Sequence, residues 1–401
     1  MITLNDIKEA KENVNNVVEN TPLTKAPILS ETFNSQIFFK KENLQLTGSF
    51  KLRGAFNRVA KLSREKRDRG VVAASAGNHA QGLAFSAQHF NCEATIFMPE
   101  ATPLTKVSGV KSYGATVKLV GENFDEAYEA AQEFAQKNNK EFIHPFADDD
   151  VIAGQGTISL EILEQIPDLK QIIVPIGGGG LIAGIAIAAK SINPDIKIIG
   201  VVASGAPGMK ESYRSQVPID STSVRTIADG IAVRDVTPKL LDIIIDYVDD
   251  IVEVSDNEIA NAILFLLERH KLVVEGAGAV ATAAVMHEKV EIEDSKVCTI
   301  ISGGNIDVTM LSQIIEKGLV KSNRKMNLIV TLIDKPGSLM RLTEIFRECS
   351  ANIVQIDYDR DSIKLEFGEA LVTIALETKG EGHQKLIREK LKQNGYRFKH
   401  I

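Results

Sequence analysis

A lysine that follows a short turn is the residue in this sequence best placed for covalent chemistry. The stretch TGSFKLRGAF, residues 47–56, passes from a Thr-Gly-Ser turn into an apolar, helix-like pattern. Ser49 is the predicted N-cap, which places Lys51 in the first helical turn. There the helix macrodipole, the neighbouring Arg53 and apolar cover would all lower the pKa of the amine. A neutral amine is a nucleophile and a base, although the stretch by itself is more typical of a solvated surface lysine.

Three glycine-containing loops each follow a β-branched run and precede a helical pattern. SAGNHAQG follows GVVAA, GGGGL follows QIIVPI, and SGGNID follows KVCTII. The first of the three helices is predicted to begin near Leu83, the second within IAGIAIAAKSI, and the third at Val308. The alternation of strands and helices predicts a parallel α/β architecture, in which ligands bind beyond the carboxyl ends of the strands.

The loop GGGGL, Gly177 to Leu181, is the strongest ligand signal of the three. Consecutive glycines at a strand–helix junction indicate a positive φ or a close approach to the backbone, and N–H groups at a helix N-terminus bind anions. No GK[ST] follows and the spacing is not GxGxxG, so nucleoside triphosphates and dinucleotides are poor candidates. A single phosphate monoester fits best; a tight turn without a ligand is the alternative.

A phosphate site, a lysine biased towards its neutral form and the lack of a metal-binding motif together indicate pyridoxal phosphate, whose aldehyde bonds to a lysine amine. Ser302, at a strand end, is a candidate partner for the ring nitrogen. A hydroxyl there would leave that nitrogen largely unprotonated, which favours β-elimination over transamination. Asn78 could hydrogen-bond to the ring hydroxyl, with local turn chemistry as the alternative.

Composition and charge narrow the class of protein. A chain of 401 residues is long enough for two or three domains, and its net charge of −7 gives no support for a nucleic-acid or anionic membrane partner. The longest apolar run, LIAGIAIAA, is about half of the ~20 residues that a membrane span needs. The cysteines, Cys92, Cys298 and Cys349, lie far apart, which is typical of a reducing cytosol. We therefore expect a cytoplasmic protein.

The motifs, taken together, resemble the fold-type II pyridoxal phosphate enzymes, and among these the threonine dehydratases (threonine ammonia-lyases). The likeness begins at TPL and continues in family order through KKENLQLTGSFKLRGA, ASAGNHAQG, HPFADDDVIAGQGT, PIGGGGLIAG, TIADGIAV, VVEGAGA and SGGN. It implies an α/β body of two subdomains, similar to the tryptophan synthase β subunit. The catalytic domain would span residues 1–320, with the smaller subdomain inserted at roughly residues 45–145.

The resemblance implies a role for each motif residue. Lys51 would bond to the cofactor aldehyde beside Phe50, Asn78 would meet the ring hydroxyl, and Ser302 would face the ring nitrogen. The further implied cofactor contacts are Gly177, Gly178, Gly179, Gly180, Leu181, Gly230 and Glu275. The implied contacts of the substrate carboxylate are Ser75, Gly77, Asn78 and His79.

The implied reaction is β-elimination from an amino acid. Lys51 would remove the Cα proton, the β-hydroxyl would leave, and hydrolysis would release ammonia with 2-oxobutanoate from threonine or pyruvate from serine. Serine racemases carry a serine where Ala76 stands, and a methyl group cannot donate a proton, so we expect poor racemisation. Ala203 and Met209 stand at the racemases' metal-ligating positions, so no metal is expected. A serine-preferring dehydratase or racemase, and a catalytically degenerate amino-acid sensor, are the alternatives.

The C-terminal segment restarts the pattern after a charged stretch at 316–325, which we predict to be a linker. Residues 326–401 predict the order β-α-β-β-α-β of a ferredoxin-like domain. LIDKPGSLMRLTEIF resembles the ACT domains, regulatory modules that usually pair and bind amino acids, and implies Asp334, Gly337 and Asn352 as effector contacts. A dimerisation domain without a ligand is the alternative. We expect a homo-oligomer, a dimer or a tetramer, with small-molecule amino acids as its ligands.

Overall fold

The computed structural model describes residues 2–292, 294–361 and 365–401. By its internal packing the chain divides into two compact units, Met1–Asp307 and Val308–Ile401, named unit 1 and unit 2. The domain limits drawn from the sequence, 1–320 and 326–401, stay predictions.

Unit 1 is built from ten strands and thirteen helices within the described residues. The strands are β1 (Leu23–Lys25), β2 (Gln36–Lys41), β3 (Val71–Ala74), β4 (Ala94–Met98), β5 (Thr116–Leu119), β6 (Glu141–Phe142), β7 (Gln171–Pro175), β8 (Lys197–Ala203), β9 (Asp250–Val254) and β10 (Lys296–Ile301). The helices are α1 (Leu4–Val14), α2 (Pro27–Thr32), α3 (Lys51–Lys61), α4 (Arg64–Arg69), α5 (Asn78–His89), α6 (Leu104–Lys111), α7 (Phe124–Lys137), α8 (Asp149–Gln165), α9 (Gly180–Ile192), α10 (Gly208–Ser215), α11 (Pro238–Tyr247), α12 (Asp256–His270) and α13 (Gly276–Met286). Two short 3₁₀ turns span Glu42–Leu44 and Asp229–Ile231.

These strands form two sheets, which confirms the predicted α/β fold class. The larger sheet has the order β1-β2-β10-β7-β8-β9 and is parallel except at β1. The smaller sheet, β5-β4-β3-β6, is wholly parallel. Strands β3, β7 and β10 are almost entirely buried, as the continuous β-branched runs of parallel strands require. The three glycine-containing loops therefore start at carboxyl ends of parallel strands.

Three predicted helix starts are wrong. Helix α9 begins at Gly180, two residues before the predicted segment IAGIAIAAKSI. The other two errors involve contacts across the fold. Helix α5 begins at Asn78 rather than near Leu83. Gly82, which suggests a helix break in the sequence, lies inside α5. A glycine suits this position because a Cβ there would stand 3.2 Å from the backbone of Leu52. Helix α3 begins at Lys51 with Phe50, not Ser49, as N-cap. Ser49 instead forms an antiparallel bridge with Gly303.

A buried cluster of four charged side chains lies between β2, α3 and α8. We name Lys40, Glu42, Arg53 and Glu161 the buried ion cluster. Nε of Arg53 lies 2.8 Å from Glu42, one of its terminal nitrogens 2.5 Å from Glu161, and Nζ of Lys40 2.5 Å from Glu161. Its two cations and two anions balance, and all four residues are buried. The cluster fixes the helix that starts at Lys51 to the helix and strand beside it.

Unit 2 contains a four-stranded antiparallel sheet of order β12-β13-β11-β14. Its elements are α14 (Val308–Lys321), β11 (Lys325–Ile333), α15 (Ser338–Glu348), β12 (Asn352–Asp359), β13 (Glu369–Glu377), α16 (Glu381–Gln393) and β14 (Arg397–His400). From β11 onward this order is β-α-β-β-α-β, as predicted for a ferredoxin-like domain. Most of the predicted linker is helical, because α14 continues to Lys321.

Three findings bear on the class of protein. Within the described residues, no helix has the length and apolar character needed to cross a membrane. The same residues contain no group of three or more histidine, cysteine or acidic side chains arranged to hold a metal ion. All three cysteines are buried and unpaired.

Candidate active site

Lys51 occupies the first position of α3, where its side chain is partly buried. Nζ donates a hydrogen bond to the carbonyl oxygen of Pro145 at 2.9 Å and lies 5.3 Å from the centre of the Phe50 ring. Burial lowers the pKa of Lys51 to about 8, an effect that the carboxylate of Glu275 partly opposes. A measurable fraction of this amine is therefore neutral near pH 7.

The predicted influence of Arg53 on this lysine is wrong. The guanidinium of Arg53 is fully buried and paired with both Glu42 and Glu161 in the buried ion cluster. Its charge is compensated there, and the pKa of Lys51 falls because of burial. The sequence places the two residues close together, but their side chains belong to different surroundings.

The loop Gly177–Leu181 presents a row of backbone hydrogen-bond donors. Gly179, at φ +93°, is the N-cap of α9, a conformation that favours glycine. Among the described residues, no hydrogen-bond acceptor pairs with the backbone N–H groups of residues 177–181. A Cβ on Gly178 would come within 2.5 Å of the Phe146 ring, and one on Gly180 within 2.6 Å of the Phe146 carbonyl oxygen. The glycines thus permit close packing on one side while the amides stay free for an anion.

The segment His144–Phe146 brings this loop and Lys51 together. Pro145 accepts the hydrogen bond from Lys51, and Phe146 packs on Gly178 and Gly180. Nδ1 of His144 accepts hydrogen bonds from the N–H groups of Phe146 and Ala147, at 3.3 and 3.0 Å. Burial, with a smaller contribution from Lys51, lowers the pKa of His144 to about 4. The lysine and the free amides therefore adjoin a neutral, preformed segment.

The loop after β3 places another helix N-terminus beside the site. Oγ of Ser75 accepts a hydrogen bond from the N–H of Gly77, and Asn78 and His79 open α5. Nε2 of His79 lies 3.2 Å from the carbonyl oxygen of Ile143, and burial, followed by the charge of Lys51, lowers the pKa of His79 to about 3. The imidazole is thus neutral and turned inward, so His79 can meet an anion only through its backbone N–H.

Ser302 lies directly after β10, beside the segment that carries Lys51. The N–H of Phe50 donates to the carbonyl oxygen of Ser302 at 3.1 Å, and the Ser302 hydroxyl donates to the carbonyl oxygen of Ala277 at 3.3 Å. Ser302 is buried, and so is Ser49, whose hydroxyl lacks a protein partner among the described residues. Ser49 and Ser302 therefore lie close together in the fold, and the described residues do not fill all of the hydrogen-bonding capacity of their hydroxyls.

Glu275 and Gly230 lie on the side of the site formed by Asn78. Oε1 of Glu275 accepts a hydrogen bond from Nδ2 of Asn78 at 2.7 Å, and a Cβ on Gly230 would lie 3.7 Å from the same oxygen. Burial, and then the charge of Asp229, raise the pKa of Glu275 to about 7, although the bond from Asn78 opposes that rise. The carboxyl group is thus close to half-protonated at neutral pH.

Sequence reasoning missed three residues that lie within this arrangement. His144 anchors the segment that joins Lys51 to the glycine loop, and Asp229 acts on the pKa of Glu275. Asn305 donates hydrogen bonds to both Asn78 and Thr47. The first two stand in motifs that carry the family resemblance, and Asn305 ends the SGGN motif, but only tertiary contacts reveal their partners.

The residues present fit pyridoxal phosphate. Its phosphate would be held by the free amides of Gly177–Leu181, and its aldehyde by the buried amine of Lys51. Phe50 and Ser302 contact the segment of Lys51, and Asn78, Gly230 and Glu275 contact one another, as described above. The donor set is therefore appropriate to a phosphate ester with a polar aromatic ring.

The predicted effector residues of unit 2 lie in two places, with Asp334 and Gly337 in one turn and Asn352 at the start of β12. Asp334 accepts hydrogen bonds from the Tyr358 hydroxyl and from Arg360, both at 2.9 Å. Gly337, at φ +85°, is the N-cap of α15. Asn352 begins β12 and pairs with Glu377, at the other end of the strand from Tyr358. Residues 334 and 352 thus lie towards opposite ends of the sheet.

The lowered pKa of Lys51 predicts how the protein without cofactor reacts with an aldehyde. Only the neutral amine attacks, so the rate of capture of pyridoxal phosphate should rise about tenfold per pH unit and level off near pH 8. Stopped-flow absorbance across pH 6 to 10 measures this rate. A rate that keeps its steep rise up to about pH 10 would show an ordinary, solvated lysine.

Four similarities relate this chain to known proteins. A family profile described as "Pyridoxal-phosphate dependent enzyme" matches residues 14–303. An L-threonine ammonia-lyase of Thermotoga maritima is 49% identical over 396 residues, which cover 99% of this chain and 98% of the relative. The solved structure of the processed form of threonine deaminase isoform 2 from Solanum lycopersicum is similar with TM-score 0.75 and 40% identity, covering 78% of this chain and 86% of that one. Maize serine racemase gives TM-score 0.75 at 35% identity, covering 80% and 99%.

Proposed function

Because the chain belongs to the family of pyridoxal-phosphate dependent enzymes, we propose that it is a threonine ammonia-lyase. It converts L-threonine into 2-oxobutanoate and ammonia, and by the same chemistry L-serine into pyruvate and ammonia. The observation that carries the reaction type is the desolvated amine of Lys51, which is connected through Pro145 and Phe146 to the glycine loop and its free amides. The choice of threonine rests on the ammonia-lyase relative, whose likeness covers nearly the whole chain.

The cofactor is pyridoxal phosphate, which when bound supplies an aldehyde that bonds to amines and a conjugated ring that delocalises negative charge from Cα. We assign the covalent attachment to Lys51 and the phosphate to the amides of Gly177–Leu181. Asn78 would hold the ring hydroxyl and Ser302 the ring nitrogen. Phe50, Gly230 and Glu275 complete the surroundings of the ring.

Lys51 is the proposed base of the reaction. A pKa of about 8 lets the amine take a proton from Cα and give it up again near neutral pH, as general acid–base catalysis requires. His79 and His144 stay neutral next to it, so neither adds a competing cation. Their low pKa values leave Lys51 as the proton carrier at this position.

The substrate carboxylate is assigned to the first turn of α5. Ser75, Gly77, Asn78 and His79 form this loop, and the free N–H groups at a helix N-terminus favour an anion. His79 would take part through its backbone, since its ring is turned towards Ile143. Fixing the carboxylate here would orient the substrate for proton removal by Lys51.

Serine racemisation is the competing activity, favoured by the likeness to maize serine racemase. A racemase needs a second acid–base group to return the proton on the opposite face of Cα. Ala76 directly follows Ser75 in the loop and offers only a methyl group. We therefore propose elimination rather than racemisation.

The decisive experiment assays the purified, cofactor-loaded protein with L-threonine and L-serine. Release of 2-oxobutanoate, detected by chromatography and mass spectrometry, is the expected result. D-Serine as the main product would instead identify a racemase, pyruvate alone a serine dehydratase. Binding of amino acids with no product from either substrate would favour the degenerate sensor.

Unit 2 is proposed to be an ACT-type regulatory domain in a homo-oligomer, a dimer or a tetramer. The ferredoxin-like strand order supports this, as does the separation of Asp334 and Gly337 from Asn352, because a site using all three needs two copies of the domain. We also propose a cytoplasmic location, in keeping with three buried, unpaired cysteines.

Removing residues from Met326 onward should leave turnover of L-threonine within about threefold of the full chain but abolish its response to amino acids. All proposed catalytic residues lie in unit 1, and α14 is retained. The measurement is initial rate with and without L-isoleucine, L-valine or AMP. Identical effector responses in both proteins would contradict a regulatory role for the removed domain.

A further inference from the structure

Asn305 links the two segments that carry Lys51 and Asn78. Its Nδ2 donates to the carbonyl oxygen of Thr47 at 2.8 Å and to Oδ1 of Asn78 at 2.7 Å. Nδ2 of Asn78 in turn donates to Oε1 of Glu275 at 2.7 Å. We name these groups the amide relay: the Thr47 carbonyl, the Asn305 and Asn78 side chains, and the Glu275 carboxyl group. It connects four segments of unit 1.

The relay has only one satisfactory direction. A backbone carbonyl oxygen can only accept, so the NH₂ group of Asn305 must face Thr47. That group uses its second hydrogen on Asn78, so Asn78 must present its oxygen to Asn305. The NH₂ group of Asn78 is thereby directed at Glu275. A reversed Asn78 would bring two NH₂ groups together and set its own oxygen against the carboxyl group.

The position of Asn305 is fixed by the backbone around it. Gly48, at φ +74°, lies so close that a Cβ would overlap the Asn305 amide. The N–H of Gly304 donates to the carbonyl oxygen of Gly48 at 2.8 Å, and Ser49 bridges with Gly303. The loop after β10 and the segment before Lys51 are thus held together like two paired strands. This pairing fixes the backbone next to Asn305, and the hydrogen bonds to Thr47 and Asn78 hold its side chain.

We propose that Asn305 is a positioning residue, which orients the Asn78 amide so that its NH₂ group, and not its carbonyl oxygen, is presented to the cofactor. One N–H of that group donates to Glu275, and the other faces the ring oxygen. The proposal rests on the proposed function, in which Asn78 meets that oxygen. An N–H donor stabilises the ionised ring oxygen, whereas a carbonyl oxygen would repel it. Asn305 acts through Asn78 and needs no contact with the cofactor.

The test compares Asn305→Ala with Asn305→Asp in the cofactor-loaded protein. Alanine removes the orienting donor; aspartate keeps the shape but offers only acceptors, so it favours the reversed Asn78. The readouts are the apparent pKa of the visible absorption band and the cofactor dissociation constant by equilibrium dialysis. We expect Asn305→Ala to raise that pKa by about one unit and weaken binding about tenfold, and Asn305→Asp to exceed both effects.

A second background separates positioning from packing. With Asn78→Ala already present, Asn305→Ala should leave the absorption titration unchanged, because the amide it orients is gone. Should Asn305→Asp fail to fold, the Asn305→Ala comparison in the two backgrounds decides alone. Unchanged titrations in the parent background with a lowered melting temperature, or an Asn305→Ala shift at least as large as that of Asn305→Asp, would overturn the proposal.

The outcome is independent of the substrate assignment. Parent protein that converts L-threonine while the Asn305 variants titrate normally would refute the positioning role alone. Parent protein that binds pyridoxal phosphate but does not convert L-threonine would refute the proposed activity, and the titrations would still decide the role of Asn305.

Discussion

Replacing Lys51 with alanine is expected to abolish turnover of L-threonine, with a fall of about 10³-fold or more, while the protein stays folded. The amine is the proposed attachment point of the cofactor and the proposed base, and loss of a general base alone typically costs 10²–10⁴-fold. The hydrogen bond that the substitution removes is the one to the carbonyl oxygen of Pro145, and the buried ion cluster that anchors α3 is left intact. Activity should therefore fail without loss of structure.

The measurement combines initial rates with mass spectrometry after borohydride reduction. Parent protein should gain the mass of the reduced cofactor at Lys51, and the Lys51→Ala variant should gain none. Lys61→Ala is the matched control, because Lys61 ends the same helix and pairs with Asp150 at the surface. Full activity in Lys51→Ala, or an equal loss in Lys61→Ala, would contradict the assignment.

Replacing Arg53 with alanine should cost about 3–5 kcal/mol of unfolding free energy, the usual effect of removing one partner from a buried ion pair. Arg53 has the largest side chain among the fully buried ones, and it pairs with both Glu42 and Glu161. Burial alone would raise the pKa of Glu42, but the charge and hydrogen bonds of Arg53, together with Lys40 and Thr21, hold that pKa below its usual value. Without Arg53, Lys40 would be the remaining cation facing two buried carboxylates.

Urea denaturation of the cofactor-free protein, followed by circular dichroism, measures this effect. Arg53→Lys should lie between the parent and Arg53→Ala, because a lysine keeps the charge but cannot pair with both carboxylates through a planar fork. Arg64→Ala is the control, since Arg64 is largely exposed and should change stability by less than about 0.5 kcal/mol. A loss below about 1 kcal/mol in Arg53→Ala would show that the cluster relaxes or admits water.

The same cluster shows where local reasoning fails. Arg53 stands two residues from Lys51 in the sequence, and proximity suggests a charge acting on the amine. In the fold, the two side chains have different surroundings. The charge of Arg53 is neutralised by Glu42, directly after β2, and by Glu161 of α8. Desolvation by the surrounding residues lowers the pKa of Lys51 instead. The lowering of the Lys51 pKa agrees with the sequence prediction, but Arg53, one of the predicted causes, does not contribute to it.

The sequence by itself determined the elements and the identity of the reactive groups, because these follow from short-range rules. The periodicity of apolar residues, runs of β-branched residues and glycines at the ends of those runs predict β7, β10 and the four strands of unit 2. A glycine run after a strand predicts an anion site wherever the strand lies. The predicted start of α5, near Leu83, is wrong because Gly82 is not a helix break. Its lack of a side chain lets α5 pack against the backbone of Leu52 in α3, and no local sequence pattern shows that contact.

Only the tertiary structure decided how those groups are oriented and satisfied. The ring of His79 turns to Ile143, Asn305 reaches Asn78, and Glu275 is held near half-protonation by Asp229 and its own burial. Each of these depends on pairing and desolvation between segments far apart in the chain. Hydrogen-bond direction and burial are properties of the assembled fold. The type of a residue determines only which donors, acceptors and charges its side chain can contribute.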